Sequence, residues 1–472
     1  MSEPRTFFDK VWSQHVIADL GDNSYLLQVD RLVLHELSGS VTLREALETG
    51  RRPMCPDQIF TIIDHVLSTQ PGRGLNDGRN ATASELIKFT RKTALEMGTH
   101  FFDVDDHRQG IGHVISPEFG IALPGLTHVS GDSHTATVGG IGALAWGIGS
   151  SEGIHILATQ TIQEAKPKTM RVRFEGKLPV GASPKDMILH LIGEIGANGG
   201  IGYAVEFAGE VVRDMSVEGR LTLCNMTIEF SGKYGFVPPD ETTIEYMKGR
   251  EFTPKGAAWE AAVAFWRTLP TDPGAVFDKE LVIDCSNLEP QVTWGTSPQQ
   301  VLPVSAAIPA PESFADAGAR TSAARALEYH GLKPGTPFSE IPIDVAYVGA
   351  CTNARLSDLR KAAAILKGRH IAEGVLAICV PGSTKVKKDA EAEGLDRIFI
   401  DAGFEWHESG CAMCGNGGAD RLKGLRVIST TNRNFEGRQG PGTKTHLASP
   451  ETVAASALVG RISDHRKISY WN

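Results

Sequence analysis

The chain has 472 residues and a formal net charge of -9, with 41% hydrophobic and 22% charged residues. At about 150 residues per domain, this length predicts roughly three domains. The acidic balance argues against a general binder of nucleic-acid phosphates, which needs concentrated Lys and Arg. The sequence shows neither a secretion signal nor a run of about 18 apolar residues. We therefore expect a cytoplasmic protein with no nucleic-acid and no membrane partner.

Residues 1–170 form the first predicted domain, in which short β-branched runs alternate with helical segments. One helix is predicted from Thr82 to Met97, with a capping box from Thr82 to Glu85 and a stop at Gly98. Such alternation is typical of an α/β domain.

Three further regions follow along the chain. Residues 171–290 open on the alternating "MRVRFEG" and predict a second, mixed α/β domain. Residues 291–342 are rich in Ala and Pro and predict a connecting segment around a short helix near "SAARALEYHG". Residues 343–472 again alternate strands with helices and predict a third domain.

Chemically rich loops follow three of the predicted strands. "DVAYVG" leads to Cys351, ahead of a helix predicted from Ser357, as N-cap, to Gly368. "LRVIST" leads to "TNRNFEGRQG", and "THVSG" leads to "DSHTATVGG", ahead of the helix-compatible "ALAWGIGSSEGIHILATQT". Ligands of open α/β sheets bind at the carboxyl ends of strands, so this distribution predicts one shared active site.

Seven cysteines without a secretion signal predict reduced thiols rather than disulfides. The pair Cys411-x-x-Cys414 alone fits a zinc site poorly, because no second Cys-x-x-Cys follows. It fits a dithiol redox pair poorly too, because "GNGGAD" is a weak first helical turn. Adding Cys351 gives three thiolates, which can hold an iron-sulfur cluster with one iron lacking a protein ligand, and we favour that interpretation. Buried, structural roles are expected for the remaining cysteines, Cys55, Cys224, Cys285 and Cys379.

Several local groups have the residue types of acid-base chemistry, although each alone is more often structural. A carboxylate beside a histidine can fix its tautomer and raise its basicity. Asn225 and Glu229 are four residues apart and share one face if that segment is helical. The candidates are Asp64, His65, His113, Asp132, Ser133, His134, Asn225 and Glu229.

Arg433 and Arg438 lie in a glycine-rich loop and suit a substrate with more than one carboxylate, since guanidinium groups grip carboxylates bidentately. The alternative is a solvated surface loop. A GxGxxA string at residues 140–145 resembles a dinucleotide fingerprint, but it does not follow a strand directly and lacks a placed acidic residue downstream. We therefore do not predict a dinucleotide cofactor.

The motifs "DH" at 64–65, "GDSHT", "CNMTIE", "GACTNARL", "SGCAMCG" and "NRNFEGRQG" occur in one order along the chain. With them the sequence resembles the aconitase superfamily, and within it the large subunits of bacterial isopropylmalate hydro-lyases. The resemblance covers essentially the whole chain. It implies three α/β domains around an iron-sulfur cluster, the first and third alike, with the site in the cleft between them. It also implies that the C-terminal swivel domain of single-chain relatives is absent.

The resemblance further implies residue roles. Cys351, Cys411 and Cys414 are expected to hold one 4Fe-4S cluster per chain, with one iron lacking a protein ligand. Asp64 and His65 are expected to protonate the departing hydroxyl. The other implied roles are to line the water and hydroxyl pocket (His113, Asp132, Ser133, His134), to support the iron and its water (Asn225, Glu229), and to position the cluster and hold substrate carboxylate (Asn432, Arg433, Arg438).

The implied activity is a hydro-lyase that interconverts 2-isopropylmalate and 3-isopropylmalate through an alkene, in leucine biosynthesis. Because the chain ends soon after Arg438, a separate small subunit is expected to bring the swivel domain and the catalytic base. Alanine stands at positions 350, 354 and 412, where serine is more usual in the family. A related hydroxy diacid such as dimethylmalate, citramalate or homocitrate is thus an alternative substrate. An iron-sulfur sensor that binds RNA and a zinc-binding structural protein are the alternatives from other classes.

Overall fold

The computed structural model describes residues 3–415 and 419–468. They fall into two compact units. Unit 1 comprises Met1–Leu67, Gly74–Gly176 and Gly200–Ile283, and unit 2 comprises Ser68–Arg73, Lys177–Gly199 and Asp284–Asn472. The four-region division predicted from sequence stays a prediction. Part of the glycine-rich run after Cys414, residues 416–418, lies outside the described residues.

The strands are short and spread over the whole described chain. They are β1 (Val16–Gly21), β2 (Ser24–Gln28), β3 (Arg31–His35), β4 (Ile59–Ile62), β5 (His100–Phe102), β6 (Thr127–Ser130), β7 (Leu144–Gly147), β8 (Thr161–Ala165), β9 (Lys168–Glu175), β10 (Tyr203–Ala208), β11 (Tyr234–Phe236), β12 (Lys279–Asp284), β13 (Gln291–Thr293), β14 (Val301–Pro303), β15 (Val345–Val348), β16 (Leu376–Cys379), β17 (Phe404–Trp406), β18 (Arg426–Ser429) and β19 (Lys444–Leu447).

The helices alternate with these strands. They are α1 (Phe7–His15), α2 (Gly39–Glu48), α3 (Ala81–Met97), α4 (Gly112–Phe119), α5 (Ser150–Thr159), α6 (Pro184–Ile195), α7 (Glu210–Arg213), α8 (Val217–Asn225), α9 (Glu241–Met247), α10 (Ala257–Trp266), α11 (Ala317–His330), α12 (Leu356–Leu366), α13 (Thr384–Ala392), α14 (Leu395–Ala402) and α15 (Pro450–Val459).

Each unit contains a five-stranded parallel sheet, and the two sheets share one strand order. In unit 1 the order is β5-β4-β3-β6-β7, and in unit 2 it is β17-β16-β15-β18-β19. In both sheets the chain starts at the middle strand, fills one side and then returns to fill the other. The strand order therefore reverses between β3 and β6 and again between β15 and β18, where such folds place their ligand sites.

Strands β4 and β15 are largely apolar because helices cover both faces of a parallel sheet. All four residues of β4, β6 and β15 are buried. In unit 2 the core around β15, β16 and β18 includes Val345, Tyr347, Ile378 and Val427. Burial on both faces thus explains why these segments do not alternate apolar with polar residues.

The remaining sheets are smaller. Strands β1, β2 and β8 form an antiparallel sheet, β13 pairs antiparallel with β14, and β11-β10-β9-β12 form a four-stranded sheet. Strand β10 is parallel to both β9 and β11. Residues 168–284 therefore have the mixed α/β character predicted for the second region.

Two predicted helix starts are wrong. Helix α3 begins at Ala81, because the side chain of Asn80 accepts a hydrogen bond from the Ala83 amide and serves as N-cap in place of Thr82. Helix α12 begins at Leu356 with Arg355 as N-cap, because the Asp358 carboxylate accepts the Arg355 amide. The predicted stop at Gly98 is confirmed, with Gly98 in the left-handed region.

The predicted helix-compatible segment "ALAWGIGSSEGIHILATQT" is a helix only in part. Its first residues form strand β7, and helix α5 begins at Ser150. Strand β7 extends the parallel sheet beside β6 and buries Trp146 completely. Tertiary burial therefore overrides the local helical preference.

The glycine-rich segment around the GxGxxA string allows close packing of the backbone against α8. Gly139 and Gly140 lie in a 3-10 helix, Thr135–Ile141, that packs against α8. A Cβ atom added to Gly140 would lie 2.6 Å from the backbone nitrogen of Leu221. Glycine is needed for this close approach of backbones.

Within the described part of the chain, no helix combines the length and apolarity that crossing a bilayer requires.

Candidate active site

In unit 1 the polar candidates follow three adjacent strands at one edge of the sheet. His35 ends β3 and Glu36 follows it, Asp64 and His65 follow β4, and Asp132 follows β6. These strands are neighbours and parallel. Carboxyl ends of parallel strands meet at the same edge, so the fold itself brings these side chains together.

His65 lies between two carboxylates. Its Nδ1 is 2.5 Å from Oδ1 of Asp64, and its Nε2 is 3.0 Å from Oδ2 of Asp132. A doubly protonated imidazole donates from both ring nitrogens and would satisfy both contacts at once. The geometry is therefore suited to an imidazole that holds and releases a proton.

Both carboxylates are kept anionic. Burial alone would raise the pKa of Asp64, but the charge and hydrogen bond of His65 outweigh it and lower the pKa. Burial is likewise outweighed at Asp132, where contacts with His113, His134 and His65 hold the pKa well below its usual range. The Asp64 carboxylate also accepts the amide of Gly112 at the start of α4, at 3.0 Å. A proton in this cluster consequently resides on histidine rather than on carboxylate.

Glu36 fixes the turn that carries His65. It is fully buried, and its carboxylate accepts the amide of Asp64 at 3.0 Å and the amide of Val66. His35 stacks on His65 with ring centroids 3.9 Å apart. Burial and the charge on His65 lower the pKa of His35 to about 4, so His35 is neutral near neutral pH. One flank and the backbone of His65 are thereby held in place.

The ligand atoms of His35, Glu36, Asp64 and His65 lie within 4.8 Å of one another. The carboxylates of Glu36 and Asp64 are already occupied by backbone amides and by His65. The group is therefore a hydrogen-bond network rather than a metal site.

Asp132 joins three histidines. Besides its contact with His65, its Oδ1 lies 3.2 Å from Nε2 of His113 and accepts the backbone amide of His134 at 2.7 Å. Nε2 of His134 lies 2.7 Å from Oε1 of Glu229. Ser133 Oγ lies 3.4 Å from Nδ1 of His134. The predicted candidates of "GDSHT" thus form one continuous network in unit 1.

Asn225 and Glu229 join the same network from different elements. Asn225 ends α8, and Glu229 lies in the 3-10 helix Met226–Phe230 that follows. The side-chain amide of Asn225 donates to Oγ1 of Thr137 at 2.8 Å, and Thr137 donates to the carbonyl of His134 at 2.5 Å. The close packing of α8 on the glycines described above therefore holds Asn225 beside the His134 loop.

In unit 2 the cysteine loops have unusual backbone. Ala350, before Cys351, has φ of 75°, and Ala412, after Cys411, has φ of 42°. The left-handed region favours glycine, and alanine there is strained. Thr430, directly after β18, accepts the amide of Gly349 at 2.9 Å and donates to its carbonyl at 2.8 Å. The strained loop before Cys351 is thus tied to the next strand.

Asn432 brings two sulfurs together. Its Nδ2 lies 3.4 Å from Sγ of Cys351, and Sγ of Cys414 lies 3.7 Å from its Oδ1. Burial raises the pKa of Tyr347 well above its usual range, and Cys414 and Cys411 near the phenol act in the same direction. The three predicted ligands, residues of two separate loops, therefore gather around Asn432 and Tyr347.

The other cysteines differ from this group in burial. Cys224, Cys285 and Cys379 are fully buried, as predicted, and burial raises the pKa of Cys224 and of Cys379. Cys55 is half-buried. Cys351, Cys411 and Cys414 keep between 5% and 9% exposure. Thiols that are grouped and slightly exposed are better explained by a group that binds to them than by packing in an apolar core.

Buried cations accompany the cysteine loops. Arg355 donates to the carbonyls of Thr352 and Cys351, both at 2.9 Å. Lys185 on α6 donates to the carbonyls of Thr430 and Thr431. Sequence reasoning missed Lys185 and Glu36, although "SPKD" carries a helix-start signature and "LHELS" places Glu36 directly after a strand.

The two arginines of "NRNFEGRQG" are half-buried. Arg438 stacks on Phe435, with its guanidinium carbon 5.2 Å from the ring centroid. Within residues 3–415 and 419–468 no carboxylate pairs with Arg438, whereas Arg421 binds the carboxylate of Glu405 and Arg466 binds those of Glu289 and Asp464. A guanidinium held by an aromatic face is suited to an anionic ligand.

One doubly wound sheet carries an acid-base network and a second carries three grouped thiols, an arrangement typical of an α/β enzyme. Residues 9–460 match the profile of the Aconitase family (aconitate hydratase), and the chain belongs to that family. It is 51% identical over 463 residues to "3-isopropylmalate dehydratase large subunit 1" of Bradyrhizobium diazoefficiens, covering 98% of this chain and 96% of that protein. The crystal structure of Thermococcus kodakaraensis aconitase X (holo-form) superposes with a TM-score of 0.45 and 14% identity, over 87% of this chain and 84% of that one.

Proposed function

We propose that the chain is the large subunit of a 3-isopropylmalate dehydratase. The reaction removes water from 2-isopropylmalate and adds it back to the alkene to give 3-isopropylmalate, a step of leucine biosynthesis. The contact of Asn432 with the sulfurs of Cys351 and Cys414 is the observation that carries the hydratase proposal. The relative that is 51% identical supports the choice of substrate.

The donor set fits an iron-sulfur cluster. Thiolates are the usual ligands of such clusters, and three of them leave one iron open. Cys351, Cys411 and Cys414 would hold a 4Fe-4S cluster, with the Asn432 amide against the sulfurs. When bound, the cluster supplies a Lewis acid that polarises the substrate hydroxyl.

His65 is the proposed general acid. Elimination breaks the C–O bond to the hydroxyl and the C–H bond on the neighbouring carbon, and the departing hydroxyl needs a proton to leave as water. Asp64 and Asp132 on either side of the imidazole favour the protonated form that delivers it. In rehydration His65 takes the proton back.

The remaining candidates have supporting roles. Asp132 would orient His65, His113 and His134 at once, and Asn225 and Glu229 would orient His134 and its loop. Ser133 lies beside the same imidazole. Arg433 and Arg438 would bind the carboxylates of the diacid, since a guanidinium offers paired donors in carboxylate geometry.

The base that removes the carbon-bound proton is proposed to come from a separate small subunit with a swivel domain. The word "large subunit" in the relative's name supports a partner for this chain. Activity should then require both chains.

Alkene formation tests the proposal. Anaerobic, iron-reconstituted protein is offered isopropylmalate, citramalate, dimethylmalate and homocitrate, each with and without the candidate small subunit, and ultraviolet absorbance is followed. Turnover of isopropylmalate only with both chains is the expected result. Turnover of another diacid would keep the mechanism and overturn the substrate. If no substrate is turned over although the cluster is intact, an iron-sulfur sensor would be favoured. If metal analysis finds zinc and no sulfide, the cluster proposal would be refuted.

A further inference from the structure

The side chain of Lys185, which ends in an amino group, is buried entirely inside unit 2. Its side chain is 0% exposed, and Nζ donates to the carbonyl of Thr431 at 2.6 Å and to that of Thr430 at 3.0 Å. Burying an ammonium is costly unless its hydrogen bonds and charge are compensated. The presence of a lysine in the interior of unit 2 therefore calls for an explanation.

The start of α6 holds the lysine backbone firmly. Ser183 is the N-cap, Pro184 occupies the first turn, and Asp186 completes a capping box with Ser183. The Asp186 carboxylate also accepts the amide of Gln291 at 2.7 Å. Lys185 thus projects from a fixed helix start rather than from a mobile loop.

The carbonyls that Lys185 binds lie next to the cysteine group. Thr430 also binds both the amide and the carbonyl of Gly349, two residues before Cys351. Thr431 directly precedes Asn432, whose amide contacts the sulfurs of Cys351 and Cys414. Lys185 is therefore connected to the cysteine group through the backbone of Thr430 and Thr431.

Its charge is suited to the same place. Burial lowers the pKa of Lys185 to about 7, while Cys351, Cys414, Asp358 and Asp186 act in the opposite direction, in that order. Arg355 supplies a second buried cation at the carbonyl of Cys351. Arg355, and Lys185 in its protonated form, thus supply positive charge to a group that becomes anionic when its thiols are ionised as ligands.

We propose that Lys185 is a positioning residue of the cluster site, which holds Asn432 through Thr430 and Thr431 and offsets the negative charge of the ligating thiolates. This inference rests on the proposed function, since it needs the cluster. A lysine that only braced α6 would stabilise the chain equally with and without the cluster. The two roles are separable by measurements on the cluster itself.

The test compares two variants. Lys185→Gln can still donate a hydrogen bond to the carbonyls but has no charge. Lys185→Met keeps an unbranched side chain but has neither the donor nor the charge. Lys385→Gln on α13, a partly exposed lysine paired with Asp389, is the matched control. Each full-length protein is reconstituted anaerobically. Iron and sulfide content, the rate of iron loss to a chelator and the midpoint potential of the cluster are measured, beside the melting temperature of the cluster-free chain.

We expect Lys185→Gln to lose iron roughly tenfold faster than wild type, the size typical of a lost partner behind metal ligands, and Lys185→Met to lose it faster still. Both should lower the midpoint potential, since removing a nearby positive charge disfavours the added electron. The control should match wild type.

Equal iron loss and equal potential in wild type and both Lys185 variants would overturn the inference while leaving the cluster in place. A fall in melting temperature alone, or failure of both variants to fold, would make Lys185 a bracing residue and would overturn it too. Wild-type protein that binds no cluster would instead count against the proposed function.

Discussion

Substitution of Cys351 gives the most direct test of the cluster proposal. It sits in a different loop from the Cys411 and Cys414 pair, and Asn432 contacts the sulfurs of both Cys351 and Cys414. Cys351→Ser should abolish turnover and remove the visible absorbance of the reconstituted protein, because a hydroxyl is a poor ligand for cluster iron. Cys55→Ser, at a half-buried cysteine, is the control and should keep both. An unchanged spectrum in Cys351→Ser would refute the ligand set.

His65 allows acid catalysis to be separated from cluster binding. His65→Ala should keep the iron, the sulfide and the visible spectrum, since His65 belongs to unit 1 and the cysteines to unit 2. The turnover number should fall by roughly two to four orders of magnitude, the usual worth of a positioned acid or base. His155→Ala, at an exposed histidine of α5, should have wild-type turnover. A tenfold loss or less in His65→Ala would argue against the role.

Single residues with distinctive chemistry could be proposed from the sequence. Cys351 and His65 stand in loops after apparent strands, and their residue types indicate metal binding and acid-base chemistry. Asn432 is predicted only through the resemblance to the family. Glu36 and Lys185 could not be found this way, because each acts on backbone groups far away in the chain. Glu36 meets the amide of Val66, 30 residues on, and Lys185 meets the carbonyl of Thr431, 246 residues on.

At the scale of the helix, the start of α3 shows how two plausible caps compete. Asn80 Oδ1 accepts the amide of Ala83 at 2.9 Å, whereas Thr82 and Glu85 are exposed. Asn80→Ala should therefore destabilise the chain by about 1 kcal/mol, the usual worth of an N-cap. Urea denaturation measures the change. Thr82→Ala is the matched control and should leave the midpoint unchanged, and a larger shift for Thr82→Ala would restore the capping box predicted from sequence.

At the scale of the sheet, the predicted strands and helices of the first and third regions are largely present, but their shared order could not be read from the sequence. Apolar strands such as β4 and β15 carry no pattern that names their neighbours. The order follows from right-handed crossovers and from which helices cover which face. The likeness of the two sheets expected from the family resemblance is confirmed by their common strand order.

At the scale of the whole molecule, the carboxylates of the acid-base network also contribute to the stability of the folded chain. The carboxylates of the acid-base network, Asp64 and Asp132, are anions whose pKa is lowered in the folded chain. Both contribute stability above their unfolded pKa and lose it as the pH falls through the lowered values. The resulting loss of stability lies in the acid range.

Glu206 has the opposite effect on the dependence of stability on pH. On β10 it is 3% exposed, Thr271 Oγ1 donates to its Oε2 at 2.5 Å, and burial raises its pKa from 4.5 to about 7. Between those values the folded chain binds more protons than the unfolded chain, so stability falls as the pH rises through that range, by about 3 kcal/mol in all. Glu206→Gln cannot ionise and should lack this loss.

The urea midpoint of Glu206→Gln relative to wild type should therefore rise between about pH 5 and about pH 8, since only wild type has to ionise a buried carboxyl over that range. Glu260→Gln, at an exposed position of α10, should show no such rise. A difference between Glu206→Gln and wild type that stayed constant with pH would mean that Glu206 is ionised in the folded chain at both values. The charges of Arg171 and Lys10, which act against the effect of burial on Glu206, would then be large enough to keep the buried carboxylate ionised.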